Sequence, residues 1–223
     1  MTSGRSSTAE GIARALVQEY GRSYAEEAGI KLADQPAPLY QLLVLSTLLS
    51  ARISAAVAVA AARELFAAGY RTPQAMLKAS WQDRVDALGR GHYRRYDERT
   101  ATMLGNGASL VRQRWHGDLR ELRDEADGDV SAMAGLLTEF PGIGPAGADI
   151  FLREVQSVWP VVTPYVDSRV RATASRAGLP DQPGDLARLA GSPGQLVRLT
   201  AALIRVSRSK RVIDQLVSES ARR

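Results

Sequence analysis

The sequence contains no cysteine. Disulfides, thiolate nucleophiles, and zinc or iron–sulfur sites built on thiolates are thereby excluded. Histidine occurs only at His92 and His116, too few to assemble a histidine-based metal site. Lysine is nearly as scarce: of 29 basic residues only Lys31, Lys78 and Lys210 are lysines, so few amines are available to form a Schiff base. No apolar run approaches the roughly 20 residues that span a bilayer. Even the stretch 41–49 soon meets polar residues. The opening residues Met1-Thr-Ser-Gly-Arg-Ser-Ser-Thr8 lack the apolar core of a secretory signal. The expectation is a cytoplasmic protein with no metal or other cofactor and no membrane partner.

What is present is a chain of 223 residues, 45% hydrophobic and 24% charged, the balance of a globular protein with one large or two small domains. The net charge is +5 and the sequence pI about 9.8, which suits a polyanionic partner without requiring one.

Helical periodicity runs through almost the whole length. Ile12, Ala15, Leu16 and Tyr20 recur at helical spacing over residues 8–20, with Ser7 or Thr8 as the expected N-cap. The prolines at 36 and 38 predict a break, followed by a helix over 39–50. Leu42, Leu43, Leu45, Leu48 and Leu49 surround that helix, so it should be central and buried. An Ala-rich helix over 54–68 should stop at Gly69. Thr72-Pro73 and Ser80 each announce a helix start, the second running from Trp81 to a stop at Gly89. Beyond a polar loop over 89–96, helices are expected over 97–115, 132–139 and 146–157. Two prolines keep 159–166 extended. Further helices are expected over 167–177, 185–190 and 193–222. No strand pattern of useful length occurs. The fold class is all-α.

Between two of these helices stands Phe140-Pro-Gly-Ile-Gly-Pro-Ala-Gly-Ala148. Glycine at 142 and 144 permits backbone angles closed to other residues and leaves no side chain above the turn. Amides around Ile143, Gly144 and Ala146 can then face outward at the start of a helix whose dipole favours an anion. Pro141 would enter the turn, and Ile143 would point back and close it. This is a helix-hairpin-helix arrangement suited to the phosphate backbone of DNA.

With the hairpin in view, four segments taken in order resemble the helix-hairpin-helix DNA glycosylase superfamily, endonuclease III being its familiar representative. Leu48-Leu-Ser-Ala-Arg52 resembles the end of that family's buried helix. Tyr96-Asp-Glu-Arg99 resembles a Tyr-x-x-Lys at the start of a later helix. The hairpin is the third, and Val166-Asp-Ser168 resembles the Val-Asp-Thr that carries the family's catalytic aspartate. The match spans roughly residues 36–175. The resemblance implies two helical lobes, residues 34–153 with the hairpin and residues 1–33 plus 154–223, with the substrate in the cleft between them. It implies that Asp167 is the catalytic carboxylate of base excision repair, set beneath a sugar whose transition state resembles an oxocarbenium ion. Aspartate is also a favoured N-cap, and both roles can coexist. The resemblance puts Arg52 where a side chain fills the gap left by a flipped base. Arg52, Tyr96 and Arg99 therefore join Pro141, Gly142, Ile143, Gly144 and Ala146 as expected DNA contacts. His92 and Tyr93 lie in the same basic loop, where aromatics interleaved with arginines suit nucleic acid.

The departures from the family narrow the reading. Its strand-cleaving members carry a lysine two residues after the second hairpin glycine, where this chain has Ala146. Its iron–sulfur loop is absent. Its adenine-removing members place a glutamate where this chain has Ser46. The expectation is a monomeric, monofunctional glycosylase acting on double-stranded DNA with a lesion or mismatch, in the cytoplasm and associated with the nucleoid. The rival reading is a non-catalytic DNA-binding protein that recognises abasic sites or unusual structures and has no need of Asp167.

Overall fold

The computed structural model describes residues 2–220, with side chains from residue 8 to 218, and every regular element among them is helical. The chain divides into two compact units, one formed by residues 24–161 and the other by residues 2–23 with 162–220. Among the described residues no helix is long and apolar enough to cross a membrane.

The unit of residues 2–23 and 162–220 contains α1 (Thr2–Tyr20), α11 (Ser168–Arg176), α12 (Pro183–Ala190), α13 (Pro193–Val206) and α14 (Lys210–Ser220). Helix α13 is its spine, packing against all four others. Leu196, Leu199, Ala202, Leu203 and Val206 recur along it at intervals of three and four and meet Ile12 and Leu16 of α1, Val170 of α11, Leu186 of α12 and Ile213 of α14. Each such leucine or isoleucine contributes about 1.5–3 kcal/mol by leaving water. Helix α1 begins well upstream of Ser7 and Thr8, so neither serves as its cap. The single helix expected over 193–222 is two, broken at 207–209, which lets Ile213 and Leu216 turn back onto the core.

The unit of residues 24–161 is built around α3 (Pro36–Leu49), whose residues from Leu39 to Leu48 are buried with the exception of Gln41. Pro36 starts this helix instead of breaking the chain, because a first-turn proline gives up an amide that has no intrahelical partner anyway. Against α3 pack α4 (Ala55–Ala67), α7 (Asp97–Trp115), α8 (Leu119–Glu125) and α10 (Pro145–Val155). Helices α5 (Pro73–Lys78) and α6 (Trp81–Arg90) cover α7, α9 (Val130–Thr138) packs on α10, and the short α2 (Tyr24–Glu27) completes the unit. Local capping accounts for many boundaries: Thr72, Ser80, Asp118 and Asp129 each accept a bond from an amide of the following turn. Helix α6 runs through Gly89 and stops at Gly91 instead. A methyl group on Gly91 would lie 2.4 Å from the Ala61 Cα, so glycine is needed there for the crossing of α6 over α4. Residues 159–166 contain a 3-10 turn at Pro160–Val162 and a cis Thr163–Pro164 bond within the stretch expected to be extended.

Candidate nucleic-acid interface

The hairpin joins α9 to α10, and its entrance is braced from behind. Phe140 is buried and stacks on Trp115 at the end of α7, with ring centroids 5.4 Å apart. Arg114, the residue before Trp115, ion-pairs with both Glu139 and Glu125. The Trp115 indole donates to Glu125 Oε2 at 2.7 Å. The Arg114 bond and then the Trp115 bond hold the Glu125 carboxyl below its usual range. At the far end of α10, buried Glu154 accepts from the amides of Tyr24 and Ala25, both at 3.1 Å, and so caps α2.

The two hairpin glycines do different things. Gly142 has φ +89°, a conformation that side chains rarely adopt. A methyl group on it would lie 1.8 Å from Met103 Cε of α7 and 3.2 Å from Thr47 Cγ2 of α3. Gly144 has φ −100° and ψ −170°, angles open to any residue, so the expectation of a special conformation there is corrected. A methyl group on Gly144 would meet nothing within 4 Å. Its missing side chain clears the approach to the backbone, whereas at Gly142 glycine serves the turn itself.

Helix α10 starts with Gly144 as N-cap and Pro145 in its first turn, and no side chain caps it. The amides of Gly147 and Ala148 both donate to the Gly144 carbonyl, at 2.9 and 3.0 Å. The Ile143 amide donates to the Phe140 carbonyl at 3.0 Å. It is therefore used inside the turn, and the expectation that it faces a ligand is corrected. The Ile143 side chain is 4% exposed and closes the junction of the helices. That leaves the amides of Gly142, Gly144 and Ala146 without a hydrogen-bond partner among the described residues. Gly142, Gly144 and Ala146 are exposed, and Pro141 is half-buried beside them.

Packing sets chain neighbours of Arg52 and Arg99 against the hairpin. Ser50 Oγ would be 2.3 Å from a methyl group on Gly147, so the end of α3 abuts the first turn of α10. Arg52 follows two residues later, exposed on the α3–α4 connection and without an ion-pair partner among the described residues. Met103, which covers Gly142, lies one helical turn after Arg99, exposed in the first turn of α7. Tyr96 is half-buried at the start of α7, with the Arg95 guanidinium 5.3 Å from its ring centroid. His92 is exposed with φ +63°. Tyr93 is only 1% exposed and its hydroxyl accepts from Thr100, so it is a core residue and cannot stack on a base. Ser46 is wholly buried, and its hydroxyl has no hydrogen-bond partner among the described residues.

Asp167 belongs to the other unit and is 9% exposed. It is the N-cap of α11: its Oδ1 accepts from the amides of Arg169 at 2.8 Å and Val170 at 3.1 Å. The cap fixes the carboxylate at the N-terminus of α11. Among the described residues no group of three or more histidines and carboxylates gathers as a metal site would require.

No protein-family model matches this chain, and no curated protein sequence is similar to it.

Proposed function

We propose that this protein is a monofunctional DNA glycosylase of the helix-hairpin-helix class, which hydrolyses the bond between sugar and base at a damaged or mismatched nucleotide. The observation that carries the reading is the set of unpartnered amides of Gly142, Gly144 and Ala146 around an N-terminus that no side chain caps. Amides with no internal partner at a helix N-terminus suit a phosphate oxygen, and each bond to a charged group is worth roughly 1.5–3 kcal/mol. Gly144 would let the strand come close, and Arg52, Arg99 and Tyr96 would extend the contact.

In the chemical step a water oxygen bonds to C1′ of the sugar as the bond from C1′ to the base nitrogen breaks. The electron pair leaves with the base, which takes up a proton. The Asp167 carboxylate would stabilise the positive charge developing on the sugar and accept the proton lost by water. Ala146 offers no amine, so no imine with the sugar forms and the strand stays intact at the abasic site. The protein would work as a monomer on duplex DNA in the cytoplasm, at the nucleoid, and without a cofactor.

The test is base release from a panel of duplexes, each carrying one lesion or mismatch, compared between the wild type and Asp167→Asn. Release by the wild type and none by the variant supports the enzyme. One observation favours a second reading: the bonds to Arg169 and Val170 give Asp167 a complete structural role as a cap. A non-catalytic protein that recognises abasic or unusual DNA would need nothing more from it. Tight binding of abasic duplex with no base release from any substrate would select that alternative.

A further inference from the structure

The positive charge of this protein is not on the unit that carries the hairpin. Residues 24–161 hold 15 arginines and lysines against 17 aspartates and glutamates, whereas residues 1–23 and 162–223 hold 14 against 7. Within the second unit the fold gathers cations at the turn between α13 and α14. Arg176, in the last turn of α11, donates to the Ser207 carbonyl at 2.7 Å. Arg205 donates to the Arg22 carbonyl at 2.9 Å, which holds the chain just after α1 to the same end of α13. Arg208 follows in the turn itself, and Lys210 and Arg211 open α14. Arg22, Arg176, Arg208, Lys210 and Arg211 are all exposed, and none forms an ion pair among the described residues. Asp214, one turn into α14, is exposed and pairs with none of them.

This arrangement opposes the folded unit's own electrostatics. Lys210 and Arg211 occupy the first turn of α14, which contains no acidic residue, and there the helix dipole disfavours cations. The neighbouring arginines repel them further. A polyanion laid across the turn adds attraction that offsets these unfavourable terms. Short exposed basic stretches on unrelated segments, joined by backbone contacts and bearing no aromatic, suit a phosphate backbone read without regard to sequence.

We infer that the cluster of Arg22, Arg176, Arg208, Lys210 and Arg211 is a second, sequence-independent binding surface for the DNA backbone, which supplies electrostatic affinity that the hairpin unit lacks. The inference rests on DNA being the partner but not on base removal. The test is the salt dependence of binding to an intact, lesion-free duplex, measured by fluorescence anisotropy with the full chain. With about 0.9 of slope for each phosphate neutralised, Arg208→Gln/Lys210→Gln/Arg211→Gln should lower the slope of log K against log salt by about 2–3 and weaken binding at low salt about tenfold or more. Arg208→Lys/Arg211→Lys should keep the slope, and so should Arg112→Gln, which removes one exposed arginine elsewhere. An unchanged slope in the triple variant, with an unchanged thermal midpoint, overturns the inference even if the protein releases bases. So does a wild type that does not bind intact duplex. Vesicles of phosphatidylserine and phosphatidylcholine form a separate arm. Loss of vesicle binding by the triple variant with DNA binding intact would assign the surface to an anionic membrane instead. A slope change in a protein that releases no base leaves this inference standing and removes the catalytic reading alone.

Discussion

Met103 closes over Gly142: a methyl group on that glycine would lie 1.8 Å from the Met103 Cε, and its φ of +89° would be strained as well. Gly144, two residues on, has neither constraint. Gly142→Ala is therefore expected to cost about 1–3 kcal/mol of stability. Gly144→Ala should leave the thermal midpoint nearly unchanged and weaken binding to duplex DNA. Paired melting and binding measurements check this, and equal stability losses in the two variants would contradict the division of roles.

Asp167 offers a comparable separation of structure from chemistry. Asparagine caps helices as well as aspartate does, whereas alanine at an N-cap costs about 0.5–2 kcal/mol. Asp167→Asn should melt near the wild type and release no base from the substrate identified in the lesion panel. Asp167→Ala should lose both stability and activity. An Asn variant that retains full base release would remove Asp167 from the chemistry.

The brace behind the hairpin should be sensitive to acid. Glu125 is held below its ordinary carboxyl value by Arg114 and then by Trp115. A carboxyl with a depressed value in the fold adds stability above its unfolded value of about 4.3, and that stability is lost as pH falls through the folded value. Thermal midpoints followed from neutral pH to below pH 4 should fall for the wild type. Glu125→Gln should start lower at neutral pH and show a flatter decline, because its side chain does not titrate. Parallel declines in the two proteins would place the acid sensitivity elsewhere.

The absence of an amine at position 146 yields a trapping experiment. Borohydride should capture no covalent adduct between the wild type and abasic duplex. Ala146 is exposed in the first turn of α10, so Ala146→Lys is expected to yield a trapped adduct. Trapping of the wild type would show that another amine, such as that of Lys78 or Lys210, attacks the sugar.

Much of this structure is written in short range. Thr72, Ser80 and Asp167 were legible as helix starts because a cap bonds amides two or three residues along the same chain, so the ingredients sit within one turn. The all-α class and the buried α3 follow from periodicity alone. So does the presence of a Gly-x-Gly turn between two helices. What required the tertiary structure is whatever depends on a partner far along the chain. Gly91, and not Gly89, follows the end of α6, and it must be glycine because Ala61 passes against it. Tyr93 is buried and Tyr96 only partly so, a difference that the basic loop around both conceals. The +5 charge looked like a property of the whole, yet the fold assigns its excess to one unit and gathers part of it at the turn after α13. Even within the hairpin, only the structure separates Gly142, held at φ +89° beneath Met103 and Thr47, from Gly144, which has ordinary angles and open space beside it.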